Sequence, residues 1–317
     1  MTVNYSMDKV LVTGGAGYLG SVLVGHLLRR EYRVTVLDNI LYGQPTLLHY
    51  CTHPNFEFVL GDVRDERLML ELLRVHDSIL PLAAIVGAKA CDRDPHMAQS
   101  VNFDAIVLLN RLRGSDQKVI FPCTNSGYGT KSGDLYCTEE TPLEPVSLYG
   151  ETKVKAEQEL LGRPNAISLR LATVFGPSPR MRLDLLVNDF VYRAVTDGFL
   201  VIYEKDFKRN YVHIEDVAEC FCFCLEQFDE MQGDAYNVGL NEANLSKEGL
   251  ALKIKEHVPS LYIHFAEVGS DPDRRNYIVS NEKISRKGFV VRRSLDEGIR
   301  QLLKVCRMLP RGNYRNA

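Results

Sequence analysis

The sequence predicts an α/β fold, a doubly wound parallel sheet with a smaller C-terminal α/β cap, and three observations predict it. Over the first 175 residues, short β-rich runs alternate with helical stretches, the pattern of a parallel sheet covered by helices on both faces. The first of these runs passes straight into a glycine triplet that opens a helix. Beyond Gly176 the run G-P-S-P-R breaks the alternation, and shorter elements follow.

Taken in order, strands are predicted at Lys9–Thr13, Arg33–Leu37, Phe56–Leu60, Ser78–Leu82, Lys118–Pro122 and Ala166–Leu171. Helices are predicted over Tyr18–Arg30, Glu66–Val75, Pro95–Arg113 and Leu148–Leu161. Residues 1–176 therefore form the sheet domain, with 210–240 expected to return to it. Residues 177–209 and 241–317 form the cap. No repeat, low-complexity tract or Gly/Ser linker separates the two parts, so the cap is expected to pack directly on the sheet domain.

The composition, 45% hydrophobic and 25% charged over 317 residues, is ample for a buried core without disulfide staples. The formal net charge of -3 argues against a broad nucleic-acid-binding surface and leaves room for a local basic pocket. No apolar run reaches the roughly 18–20 residues of a membrane span, and MTVNYSMDK lacks a signal-peptide core, so a cytoplasmic protein is expected. The eight cysteines then read as reduced core thiols. In C-F-C-F-C, Cys220 and Cys224 share one helical face while Cys222 points away, and no finger-like partner pair accompanies them. No metal site is expected.

Residues 9–20 read K-V-L-V-T-G-G-A-G-Y-L-G, with Gly14, Gly17 and Gly20 at the strand-to-helix turn. Glycines there permit the tight turn, let the backbone approach a pyrophosphate, and seat the helix against its strand. The helix N-terminus adds unpaired N–H groups and partial positive charge. A lone triplet is weak evidence, but the next strand ends in Asp38, 18 residues after Gly20. An acid at that distance accepts from the adenosine ribose hydroxyls and repels a 2′-phosphate, and no arginine closely follows it. The pattern is a Rossmann-type nucleotide fold that favours NAD over NADP. In L-G-D-V-R-D, Asp62 either accepts from the adenine amino group or caps the following helix. The cofactor side is expected to comprise Gly14, Gly17, Tyr18, Leu19, Asp38, Asn39, Asp62, Val63, Leu82, Ala83 and Ala84, together with Tyr149 and Lys153.

In L-Y-G-E-T-K, Tyr149 and Lys153 are four apart and project from one helical face. A free phenol, near pKa ~10, is a poor base at neutral pH. An ammonium one turn away and a positive nicotinamide would lower that value by ~3, equivalent to ~4 kcal/mol. Tyr149 could then take the proton of a sugar hydroxyl as hydride leaves the same carbon. Thr124 and Ser126, at the end of the fifth strand, are candidates to hold that hydroxyl, because open parallel sheets bind ligands at their carboxyl edge.

These motifs continue through L-A-A (82–84), T-N-S-G-Y-G (124–129), R-N-Y-V-H-I-E-D-V-A (209–218) and N-V-G (237–239). The ordered set resembles the extended short-chain dehydrogenase/reductases of the nucleotide-sugar epimerase/dehydratase family. The resemblance implies hydride-transfer chemistry by Thr124, Tyr149 and Lys153, and substrate diphosphate binding by Arg209 and Arg274. It also implies a homodimer packed through helices near 95–113 and 148–161, with Ala105, Val107, Leu108, Leu112, Val154, Leu160 and Leu161 as candidate apolar contacts.

The departures narrow the reading. Asn125 and Ser126 stand where family 4,6-dehydratases carry an Asp-Glu pair, and an amide and a hydroxyl do not replace an acid/base pair. R-L-A-T-V-F-G-P lacks the Asn common in R-x-x-N-V-Y-G-P, and Pro81 replaces the His often found before L-A-A. The whole pattern resembles bacterial GDP-heptose 4-dehydrogenases, in which a tightly held NAD oxidises carbon 4 of the sugar. On that resemblance Asn125, Ser126, Arg180, Arg182 and Asn188 join Thr124 at the substrate. A nucleoside-diphosphate sugar, a GDP-linked heptose or hexose, is the expected partner. A redox-neutral 4-epimerase would use the same residues. A non-catalytic NAD-sensing protein is the alternative from another class, opposed by the intact Thr124, Tyr149 and Lys153.

Overall fold

The computed structural model describes residues 8–131, 136–267, 275–309 and 314–316. Its centre is a seven-stranded, wholly parallel sheet. The strand order is Asp234–Val238, Ala166–Leu171, Lys118–Thr124, Ser78–Pro81, Lys9–Thr13, Arg33–Asp38, Phe56–Leu60. The chain enters mid-sheet at Lys9, runs outward through Arg33–Asp38 to Phe56–Leu60, then crosses to Ser78–Pro81 on the other side of its first strand. That reversal opens a crevice at the carboxyl ends of Lys9–Thr13 and Ser78–Pro81, where such sheets bind ligands.

The strands Lys9–Thr13, Phe56–Leu60 and Ala166–Leu171 have their predicted bounds, as does the helix Leu148–Leu161. The fifth strand runs two residues further than predicted, to Thr124, and so delivers that hydroxyl to the crevice. The helix predicted over Pro95–Arg113 is interrupted: Pro95–Gln99 and Ala105–Leu112 flank a π-helical turn at Ser100–Asp104. The extra residue turns Asn102 inward. Its Oδ1 accepts from Ile85 N (2.8 Å) and its Nδ2 donates to Ile85 O (3.0 Å), pinning the loop after L-A-A.

Segment 210–240 supplies the sheet's last strand, Asp234–Val238, and the helix Ile214–Glu226, which packs against Gly20–Arg29. Buried His26 sits between them, with Nε2 2.7 Å from Glu215 Oε2 and Nδ1 2.9 Å from Glu219 Oε1. One apolar core fills that side of the sheet, and a second, around Leu11, Phe121, Ala156 and Leu160, fills the other. A third core, including Phe175, Val187, Phe190, Leu250, Ile254 and Ile299, belongs to later elements. Among these are the helices Leu186–Thr196, Lys247–His257 and Leu295–Met308.

Two expectations are corrected here. Seven of the cysteines are buried free thiols, Cys222 among them, but Cys51 is exposed and is no part of a core. Of the proposed dimer contacts, Ala105, Val154 and Leu160 are buried within the chain itself, leaving Val107, Leu108, Leu112 and Leu161 partly accessible. No helix among the described residues is long and apolar enough to cross a membrane.

Candidate active site

A cavity of about 690 Å³ runs along the crevice from the glycine-rich turn to the cap. Its first wall depends on glycine. Gly14 has φ +71°, and a Cβ there would lie 2.6 Å from Ala83 N, so backbone meets backbone where a side chain would intrude. Asp38 closes this end. Its Oδ2 accepts from Ala16 N (2.9 Å) and its Oδ1 from Ile40 N (2.8 Å). Burial raises the Asp38 carboxyl above its ordinary range, and those two N–H groups and Arg180 oppose the rise. The aspartate thus shapes the turn and lines the cavity.

Gly14, Gly17, Tyr18, Leu19, Asn39, Asp62, Val63, Leu82, Ala83 and Ala84 line the same cavity. Asp62 does not cap the following helix. Asp65 does, accepting from Leu68 N, while the Asp62 carboxylate pairs with Arg64 (2.7 Å), which holds its pKa down. The Tyr18 phenol is already hydrogen-bonded within the protein. It donates to Gly176 O (2.7 Å) and accepts from Asn188 Nδ2 (3.1 Å).

Thr124, Tyr149 and Lys153 line the cavity together. Ser147 caps their helix by accepting from Gly150 N, which sets Tyr149 in its first turn. Lys153 is buried, with Nζ 3.9 Å from the Phe121 ring centroid. Burial pulls its ammonium down to about 8, with Cys123 and Glu157 opposing. Burial pushes the Tyr149 phenol well above its ordinary range, with Arg182 and Arg275 opposing. The expected lowering of the phenol by Lys153 is therefore not a property of the protein's own groups, because desolvation outweighs them. Thr124 Oγ1 donates to Ser126 Oγ (2.9 Å), which also contacts Arg275 Nη1.

The other proposed substrate residues divide. Arg180, Arg182 and Arg209 line the cavity and are buried. Arg182 is held by Asp184 (2.6 Å), and Arg209 lies over the Tyr277 ring at 5.6 Å. Asn125, Ser126 and Asn188 are not among its lining residues. Asn188 is fully buried and spends its amide on Gly176 N, Tyr18 Oη and Arg182 O, so it braces the site from behind. Arg274 lies outside the described residues, whereas its neighbour Arg275 lines the cavity. In R-R the sequence offers no signal to separate the two. Asp184, Tyr203 and Lys247 also line the cavity, and no motif in the sequence marks them.

A doubly wound sheet with a glycine-rich turn, a strand-end aspartate and a Tyr–Lys pair on one cavity defines an enzyme-like dinucleotide site. The chain belongs to the NAD dependent epimerase/dehydratase family, whose model matches residues 10–239. Among curated relatives, the low-salt glycan biosynthesis protein Agl12 of Haloferax volcanii is 30% identical, over 92% of this chain and 96% of its own. UDP-arabinose 4-epimerase 1 of Arabidopsis thaliana is 26% identical, over 84% and 74%. UDP-glucose 4-epimerase of Thermus thermophilus, solved in complex with NAD, superposes with a TM-score of 0.80 at 26% identity, over 94% and 99%. The family is NAD-dependent, and the glycine turn, Asp38 and the crevice beside them fit that cofactor.

Proposed function

We propose that this chain oxidises carbon 4 of the sugar of a nucleoside-diphosphate sugar, a GDP-linked heptose or hexose, with Tyr149 as the base. The observation that carries this reading is the convergence of Thr124, Tyr149 and Lys153 on one cavity, with an amide and a hydroxyl at positions 125 and 126. Proton and hydride can leave one carbon there, while nothing at those two positions supplies the acid pair that dehydration requires.

Thr124 holds the reacting hydroxyl, and its own bond to Ser126 fixes the orientation of its Oγ1. Tyr149 takes the proton, and Lys153 supplies positive charge one turn along the helix. NAD, when bound, supplies the hydride acceptor and the further positive charge that a phenolate in this buried place requires. Arg209 and Arg275, both on the cavity wall, are the diphosphate ligands, since guanidinium forks match phosphate oxygens. The segments 177–209 and 241–317 form the substrate cap, and the active form is a cytoplasmic homodimer.

A second reading, redox-neutral 4-epimerisation, is favoured by the 4-epimerases among the relatives. Purified protein incubated with GDP-, UDP-, dTDP- and CDP-sugars separates the two. Net NADH absorbance with a product two mass units lighter supports oxidation; an isomer of unchanged mass with no net NADH supports epimerisation. Tyr149→Phe should lower the rate by ~10²–10⁴-fold, and full activity in that variant would remove the proposed base.

A further inference from the structure

Arg180 stands apart from the other cavity arginines. It is 3% exposed, its guanidinium carbon lies 4.0 Å from the Tyr42 ring centroid, and its Nε has no hydrogen-bond partner among the described residues. Tyr42 follows the Asp38 strand end, whereas Arg180 follows Gly176 on the opposite bank. The stacked pair therefore bridges the cavity across the half bounded by the glycine-rich turn and Asp38.

The bridge is firmly footed. Ser178 Oγ donates to Tyr18 O (2.7 Å), lies 3.0 Å from Ser21 Oγ, and accepts from Arg180 N (3.2 Å). The Tyr18 phenol returns a bond to Gly176 O (2.7 Å). Segment 176–180 is thus sewn to the first turn of the helix Gly20–Arg29, whose N-terminus is suited to phosphates. Arg182, two residues on, is paired instead with Asp184 and acts electrostatically on Tyr149 at the reacting end.

We propose that Arg180, stacked on Tyr42, is a clasp that retains NAD, its buried charge and unpaired Nε–H serving the cofactor's pyrophosphate and adenosine half rather than the sugar nucleotide. The cation–π stack holds the guanidinium over that half without neutralising it, leaving its charge available to an anion. Release of the dinucleotide then requires the stack to open. The inference rests on the family's NAD dependence and not on which sugar is oxidised.

The test measures NAD released by denaturing the purified protein, and its dissociation rate on dilution into an NAD scavenger, for wild type, Arg180→Ala, Arg180→Gln and Tyr42→Ala. GDP and UDP binding is titrated in parallel. The clasp predicts dissociation at least tenfold faster in both Arg180 variants and in Tyr42→Ala, with nucleoside-diphosphate affinity changed less than threefold. Unchanged NAD retention in Tyr42→Ala and Arg180→Gln overturns it. So does a loss of GDP or UDP affinity with retention intact, which would return Arg180 to the substrate. Circular dichroism on the milder Arg180→Gln variant separates cofactor loss from misfolding. Failure of every sugar in the oxidation assay leaves this result standing, so the two readings fail separately.

Discussion

Lys153 sits 3.9 Å from the Phe121 ring centroid on the helix that carries Tyr149, and its burial brings the ammonium down to about 8. Below pH 8 the side chain keeps its proton and its charge beside Tyr149; as pH rises through 8 it becomes neutral and the support is lost. An alkaline limb near that pH is therefore expected in the rate of sugar oxidation. Lys153→Arg, whose guanidinium stays charged, should move that limb upward by more than one pH unit even at reduced kcat. A limb that remains in place, in kcat and in NAD affinity alike, would assign it to another group. The Tyr–Lys pairing was legible from its spacing of four; the low lysine and high tyrosine were not. Those depend on burial, for Lys153 against Phe121, a residue from a strand that no local pattern connects to the helix.

At the scale of elements, the site depends on irregularities that periodicity does not register. The stretch from Pro95 reads as one uninterrupted helix because its apolar residues keep helical spacing on both sides of Asn102. In the fold a π turn intervenes, and Asn102 replaces a missing strand partner for both backbone groups of Ile85 while also reaching Thr152 Oγ1 (3.3 Å) on the Tyr149 helix. Asn102→Ala should leave Ile85 N–H unsatisfied in a buried place and its C=O with only the weak Cys91 thiol donor (3.3 Å), costing about 1–3 kcal/mol. Chemical denaturation measures that loss, and a change under 0.5 kcal/mol (about the effect of an ordinary surface substitution) would show the turn to be incidental. The strands themselves were legible because β-rich runs bounded by turns leave little choice of element. Asn188 is the opposite case: a polar residue beside two arginines reads as a ligand, and only packing shows its amide already committed to Gly176, Tyr18 and Arg182.

Across the whole molecule, motif residues with no evident chemistry form the frame that holds the chemical ones. Glu157 lies one turn beyond Lys153, is 2% exposed, and meets Arg170 at 2.8 Å while accepting from Ser168 Oγ at 2.6 Å. Arg170 Nη1 donates to Tyr128 Oη (3.1 Å), which donates to Asn237 Oδ1 (2.7 Å) on the sheet's last strand. One buried chain thus ties the helix of Tyr149 to the loop after Thr124 and to the returning strand, which explains why G-Y-G and N-V-G belong to the same pattern as Y-G-E-T-K. Glu157→Ala leaves the Arg170 guanidinium buried beside a lost partner and should cost about 3–5 kcal/mol. Removing both charges, as Glu157→Leu with Arg170→Met, should be milder than either single change, because the penalty lies in the uncompensated charge rather than in the lost attraction. Denaturation curves for Glu157→Ala, for Glu157→Leu and Arg170→Met singly, and for the double variant check this. If Glu157→Ala loses less than 1 kcal/mol, or the double variant loses the sum of the singles, the pair does not act as a unit, and the Tyr149 helix must be positioned chiefly by packing its own Ala156 and Leu160 into the core that includes Phe121.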